Sequence, residues 1–287
     1  MKNKVFVLFS FLFFLNACSY PESETEQANR LEKTYQLHIK TDNPKQSYLK
    51  DFTEEEGSLV NVEVTITSLD SAPETLDGIE SALGVYPEGF ISEVIDTIYI
   101  AGSITIEGAA AGGTYGSRWI ALSNVAQWNG TKANYENAYY GVHHELSSLI
   151  FNNSPLSVMT WQSLLNRDWK PAKSNFEALT KDELAPDYSA GFLSDYGKTS
   201  MGNDFNTYAE FAFAEPEKLR ELAAMYPVIA KKLSVFITAY TQIFPEYQQG
   251  FEEYFTRTGL SDVAVEPENV EMTIHLDVSS VKPQIIR

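Results

Sequence analysis

Cysteine and histidine are scarce in this chain, and their scarcity restricts the chemistry that it can carry. Among its 287 residues there are one cysteine, Cys18, and four histidines. A single cysteine excludes a disulfide bond within the chain. His38 and His275 lie in segments with strand-like alternation, where histidines are most often structural or exposed. The adjacent pair His143 and His144 is therefore the candidate for imidazole chemistry or metal binding.

Basic residues are also few: 21 lysines and arginines stand against 39 aspartates and glutamates, for a formal net charge of −18. A chain this acidic repels polyanions, which argues against nucleic acid and anionic lipid as partners. After the N-terminal segment, no apolar run is long enough to span a membrane. The only membrane contact that we expect is through a lipid anchor.

Residues 1–17 have the layout of a signal peptide. Lys2 and Lys4 precede an apolar run from Val5 to Leu15, and the segment ends in Leu15-Asn16-Ala17-Cys18. The run is shorter than the roughly 20 apolar residues that a helix needs to cross a bilayer. The L-x-A-C ending resembles the lipobox of bacterial lipoproteins, which implies that Cys18 carries the lipid. The alternative is an ordinary secretory signal with a chance cysteine.

The segment that follows Cys18 bears on where the protein resides. Residues 18–30 are rich in glutamate and poor in apolar side chains, which predicts a disordered acidic tether. Acidic residues soon after a lipidated cysteine resemble the signal that sends some bacterial lipoproteins to the cell surface. We therefore expect an exported protein, anchored by lipid to the outer membrane and exposed at the cell surface.

The periodicity of residues 31–287 predicts one domain of the α+β class. It has a β-rich part over residues 31–125, a helical part over residues 133–250 and a C-terminal strand over residues 270–278. A helix at Pro73–Leu83 and a glycine-rich turn at Gly108–Gly116 interrupt the β-rich part. The predicted strands are Leu31–Lys40, Leu59–Ile66, Ile95–Ile106 and Arg118–Leu122. The predicted later helices are Asn134–Phe151, Leu156–Asn166, Thr207–Ala214 and Pro216–Phe244, the last interrupted at Pro227.

The strongest predicted helix carries the sequence His144-Glu145-Leu146-Ser147-Ser148. It resembles the active-site helix of zincin metallopeptidases, in which H-E-x-x-H places two zinc ligands on one helical face and a glutamate serves as general base. The resemblance implies that His144 is a metal ligand and Glu145 the general base. Ser148 stands where the second histidine ligand belongs.

The segment Gly191–Phe213 extends this resemblance to bacterial zinc-binding metallopeptidase lipoproteins, which are zincin-like and of the gluzincin type. In that family a second helix supplies a carboxylate ligand, and Glu210 in Tyr208-Ala209-Glu210 matches its position. The resemblance implies a small mixed sheet, an active-site helix and a mostly helical C-terminal half. It also implies that the strand at Arg118–Leu122 is the edge strand that pairs with extended substrate.

Ser148 leaves three interpretations open, because a catalytic zinc normally has three protein ligands. The first is a degenerate zincin-like lipoprotein that binds a peptide, a glycan or a partner protein at the cell surface. The second is an active zinc metallohydrolase whose third ligand is Asp195, Asp204 or Glu215. The third is an unrelated structural lipoprotein with a buried His–Glu cluster. Glycan binding would gain support if tryptophans lined an open groove; the four are Trp119, Trp128, Trp161 and Trp169.

Overall fold

The structure is a computed structural model that describes residues 22–44, 47, 51, 62–124, 133–180 and 185–267. These residues form one open mixed sheet and a larger set of helices, so the α+β class is confirmed. The signal-peptide segment, Cys18 and the C-terminal strand predicted at residues 270–278 lie outside the described residues.

The first described element is a helix, α1 (Glu24–Tyr35), where the sequence predicts a tether followed by a strand. Both predictions are wrong over this range. The Ser23 hydroxyl accepts a hydrogen bond from the Glu26 backbone, and the Glu26 carboxylate accepts one from the Ser23 backbone. This capping box starts a helix that buries Ala28 and Leu31. Strand structure appears only at β1 (His38–Lys40).

The sheet is built around one long strand, β3 (Thr97–Ile106), which changes partners along its length. Its first half pairs in parallel with β1 on one side and with β6 (Trp119–Ser123) on the other. Its second half pairs antiparallel with β2 (Val62–Ile66) and with β4 (Ala109–Ala111). The sheet is therefore mixed, and its centre is buried on both faces.

The glycine-rich segment Gly108–Gly116 is predicted as a turn, and that prediction is wrong in part. It contains β4 and a further short strand, β5 (Gly113–Tyr115), which pairs antiparallel with β6. Among the described strands β5 has β6 as its sole neighbour. The edge strand is thus β5, whereas the predicted edge strand at Arg118–Leu122 corresponds to β6, which lies inside the sheet.

The predicted helices are present with shifted bounds. The one predicted from Thr207 begins earlier, where Ser200 caps it by accepting a hydrogen bond from the Asn203 backbone. The predicted interruption at Pro227 is confirmed, since that proline starts a separate helix. The α-helices after α1 are α2 Pro73–Leu83, α3 Phe90–Val94, α4 Ala133–Asn152, α5 Pro155–Ser163, α6 Asn175–Thr180, α7 Met201–Ala214, α8 Pro216–Met225, α9 Pro227–Gln242 and α10 Gln248–Arg257. Short 3₁₀ turns lie at Leu69–Ser71, Tyr188–Ala190, Tyr196–Thr199 and Pro245–Tyr247.

Helix α4 lies at the centre of the molecule, packed against α2, α7 and strand β6. Its buried apolar side chains include Ala138, Val142 and Leu146. At Gly141 a Cβ atom would lie 2.8 Å from a methyl carbon of Leu122, so glycine allows the helix to approach the sheet closely. Within the described part of the chain, no helix has the length and apolarity needed to span a membrane.

Candidate functional site

Two antiparallel helices bring the candidate residues together. His144 Nδ1 on α4 lies 2.5 Å from Glu210 Oε1 on α7. One turn further along α4, the Ser148 hydroxyl accepts a hydrogen bond from Asn206 Nδ2 at 2.6 Å. On each helix the two contact residues are four positions apart, His144 and Ser148 on α4 and Asn206 and Glu210 on α7. Each helix therefore contributes a single face to the contact. The structure thus joins residues from the two sequence motifs.

Ser148 is buried and fully engaged in contacts between the helices. Besides accepting from Asn206, its hydroxyl lies 3.5 Å from the carbonyl oxygen of His144 in the preceding turn. Neither Ser148 nor Asn206 lines the adjacent cavity. The position that holds the second histidine ligand in H-E-x-x-H is therefore closed off from any ion in the cleft.

The donor set does not fit a standard catalytic zinc, which needs three protein ligands and an open position. His144 and Glu210 are two donors, and they bond to each other. In the described ranges, no group of three histidine, cysteine, aspartate or glutamate side chains is arranged to hold a metal ion. The metal-ligand roles that the resemblance implies for His144 and Glu210 stay predictions.

Glu145 is the most deeply buried carboxylate of the cleft, with 7% of the residue exposed. Burial raises its pKa to about 7; the charge of His144 opposes the rise and that of Glu210 adds to it. Its carboxylate accepts no hydrogen bond from any other described residue. Oxygen Oε1 lies 2.7 Å from the position that a Cβ atom would take at Gly113. A glycine on the edge strand therefore makes room for this carboxylate.

The imidazole of His144 is held between a carboxylate and an aromatic ring. Burial lowers the pKa of His144, but the hydrogen bond that its ring donates to Glu210 and the charges of Glu210 and Glu145 outweigh burial, so the pKa is raised. The ring of Tyr196 lies against it, with centroids 5.7 Å apart. Burial and the nearby charges of Glu145 and Glu210 raise the pKa of Tyr196, so its phenol stays protonated.

These groups open onto a cavity of about 730 Å³, within the range of roughly 300–1,000 Å³ typical of small-ligand pockets. One wall is the β4–β5 segment, including Gly112 and Gly113. The opposite wall is α4 with α7, and helix α6 closes a third side through Ala178 and Leu179. The cavity is thus a cleft along an edge strand.

Asn137 fixes the edge strand to α4. Its side-chain amide donates to the carbonyl oxygen of Gly112 at 3.1 Å and to that of Ser123 at 2.8 Å. Asn137 stands two helical turns before Glu145, so the same helix that carries the acid also positions the strand opposite it. This contact links α4 to the connection between β4 and β5, next to the glycine that faces Glu145.

The other residues considered from the sequence lie elsewhere or are engaged. His143 faces the core: its Nδ1 lies 2.9 Å from the Tyr86 hydroxyl, and burial lowers its pKa to about 3. Asp204 is buried and bonds to Lys232 and Trp161, so it does not reach the cleft. Asp195 and Glu215 do line the cavity, each beside a lysine. His38 is exposed on β1.

Tryptophans do not line the cleft in the described part of the chain. Trp119 and Trp161 are buried, and the Trp169 indole donates to the carbonyl oxygen of Lys198. Trp128 lies outside the described residues. The tryptophan platform that would favour a glycan ligand is therefore missing from the described walls.

Sequence reasoning missed Asn206, Tyr196, Tyr140 and Gly113. Asn206 could have been found, because it stands four residues before Glu210 and so shares the helical face that meets α4. Tyr140 could have been found in the same way, four residues before His144. The positions of Tyr196 and Gly113 depend on tertiary packing, for which the sequence holds no local signal.

Comparison of this chain with protein-family models, with curated proteins and with solved structures finds no match.

Proposed function

We propose that this chain is a zincin-like binding protein with a degenerate metal site, which holds an extended peptide in the cleft between β5 and helix α4. The observation that carries the proposal is the hydrogen bond from Asn206 to Ser148. It ties the Ser148 hydroxyl to the Asn206 amide nitrogen at the place where a metallopeptidase needs a ligand. What is left is a cleft shaped for a substrate, without the ligand set that would hold the usual zinc.

The geometry of the edge strand supports a peptide as the ligand. The Ser123 amide donates to the carbonyl oxygen of Gly112, and the Gly116 amide donates to that of Trp119. In an antiparallel ladder, hydrogen-bonded residue pairs alternate with pairs that are not hydrogen-bonded. Gly113 belongs to a pair of the second kind, so its amide and carbonyl point away from β6. An extended peptide can pair with such backbone groups by strand addition. The cleft has no described tryptophan, so a peptide is favoured over a glycan.

The proposed location follows from the N-terminal sequence. The lipobox-like ending at Cys18 and the acidic residues after it favour a lipid anchor in the outer membrane and exposure at the cell surface. The anchor would be the only membrane contact, and the partner a peptide or an exposed segment of a membrane protein. Globomycin-sensitive processing and labelling with a radioactive fatty acid, both lost in Cys18→Ser, would test the anchor.

Peptide selection followed by hydrogen exchange tests the binding function. Peptides would be selected from a random displayed library on the purified full-length protein, and exchange would be measured at saturation. We expect slower amide exchange in residues 109–115, above all at Gly113, and loss of binding when alternate peptide amides are methylated. Protection confined to other parts of the surface would contradict the proposal.

A hydrolase is the second candidate function, and the environment of Glu145 favours it. A carboxyl group whose pKa is about 7 suits general-base catalysis near neutral pH. The same selected peptides discriminate the two functions. Intact peptides after long incubation with the protein, with and without added zinc, support binding alone. Cleavage that Glu145→Gln abolishes would establish the hydrolase.

A further inference from the structure

The cleft is lined by carboxylates, and no lysine or arginine lines it in the described part of the chain. Aromatic and aliphatic groups complete its walls, among them Tyr140 and Tyr196. The acidic lining residues are Glu136, Glu145, Asp195, Glu210 and Glu215.

Three of these carboxylates have partners inside the protein. Glu210 bonds to His144. Glu215 accepts from the Tyr140 hydroxyl at 3.2 Å and from Lys218 at 2.9 Å, and Asp195 lies 3.3 Å from Lys198. Their charges are thus partly compensated, and they do not by themselves require a cationic ligand.

Glu145 differs because it is nine-tenths buried and its carboxylate accepts no hydrogen bond from another described residue. A buried carboxylate without a donor is unfavourable, and a donor supplied by a ligand removes that cost. The group lies on the cavity wall beside Gly113, so a ligand in the cleft can reach it. Glu136, exposed at the rim, adds negative charge on the same helix.

The aromatic walls suit a cation as well. The rings of Tyr140 and Tyr196 line the cavity together with Glu145, and phenol rings attract ammonium and guanidinium groups through their π faces. The net charge of −18 adds a long-range attraction for basic ligands. Buried acid, aromatic walls and overall charge favour a cationic ligand. The His144 imidazole also lines the cavity, but its ring bonds to the Glu210 carboxylate, which offsets any charge on it.

We propose that the cleft binds a lysine or arginine side chain of an extended peptide, with its cationic group on the Glu145 carboxylate in the cavity that Tyr140 and Tyr196 also line. This inference rests on the proposed peptide-binding function and names the class of peptide. The peptide backbone lies along β5, and one basic side chain enters the cavity. The contact forms a charge-assisted hydrogen bond on the cavity wall.

Blocked pentapeptides of sequence Ala-Thr-X-Thr-Ala, with lysine, methionine or glutamate at X, test the proposal by isothermal titration calorimetry on the full-length protein. The lysine peptide should bind about tenfold to a hundredfold more tightly than the methionine peptide, as expected for a hydrogen bond between charged groups. The preference should weaken with added salt. Glu145→Gln should abolish it, and Glu136→Gln should reduce it about threefold by removing a rim charge.

Exposed Glu74 on α2 does not line the cavity, so Glu74→Gln is the matched control and should keep the full preference. Equal affinity for the lysine and methionine peptides would overturn the inference and leave the peptide-binding function standing. If blocked lysine alone bound as tightly as the pentapeptide, cation recognition would stand and pairing of the backbone along β5 would fall. Absence of binding by all three peptides would contradict both.

Discussion

The buried carboxyl group of Glu145 should give the stability of this protein a pH dependence that glutamine would remove. The residue is 7% exposed, and burial raises its pKa from 4.5 to about 7. In the unfolded chain the same group titrates near its ordinary value. Between these two pKa values the folded protein therefore holds a proton that the unfolded chain has released.

The sign and size of the effect follow from this difference. Because the folded pKa is the higher one, the neutral acid stabilises the fold at low pH, and that stability is lost as the pH rises through about 7. A difference of two to three pKa units corresponds to about 3 kcal/mol. The raised pKa of His144 acts in the same direction, so the wild-type curve falls further than Glu145 alone requires.

Urea unfolding of the wild type and of Glu145→Gln between pH 5 and 8, with EDTA present, measures the effect. The free energy of unfolding of the variant, relative to wild type, should rise by about 3 kcal/mol from the acid to the alkaline end. Glu74→Gln, which changes an exposed glutamate, should follow the wild-type curve. If the wild-type and Glu145→Gln curves stayed parallel, the burial argument for Glu145 would be refuted.

Three further substitutions test the packing around the cleft. Lys232→Met leaves the Asp204 carboxylate buried without its partner at 2.6 Å. The free energy of unfolding in urea should fall by about 3–5 kcal/mol, and adding Asp204→Leu should restore much of it. No restoration would contradict a paired ion. Gly113→Ala places a Cβ 2.7 Å from Glu145 Oε1 and 2.9 Å from the Ala121 carbonyl oxygen. It should lower the free energy of unfolding by about 1–3 kcal/mol and weaken peptide binding. In the control Gly202→Ala the new Cβ lies 3.8 Å from its nearest neighbour, so that variant should be tolerated. Asn206→Ala removes the donor to Ser148 and should cost about 1–3 kcal/mol, and additive losses in the double variant with Ser148→Ala would show that the two side chains do not interact.

Much of the helical half could be predicted from the sequence, because its signals are local. The apolar spacing of α4 and the prolines that begin α8 and α9 locate those helices within a few residues. The N-terminal helix was missed because its capping box, Ser23 with Glu26, lies in a segment whose composition indicates disorder. Of the alternating residues Leu37 and Ile39, only Ile39 lies in a strand, β1, which is much shorter than predicted.

The sheet edge and the closed second-ligand position could not be predicted in the same way. Strands β4 and β5 are three residues each. Strand β4 consists of alanines, which are depleted in strands, and β5 is too short to show a pattern of alternation. They are specified by pairing with β3 and β6 and by the contact from Asn137. The sequence identified Ser148 as the departure from the motif, but its partner Asn206 becomes evident only when the two helices are placed side by side.

Zinc content is the measurement that tests the central claim most directly. After dialysis against zinc and then buffer, full-length wild type should hold no stoichiometric zinc. The double variant Ser148→His/Asn206→Ala, which supplies the second ligand and the space for it, should hold one equivalent that His144→Ala removes. One equivalent of zinc in the wild type, lost in His144→Ala, would contradict the proposal that this is a degenerate site built for binding.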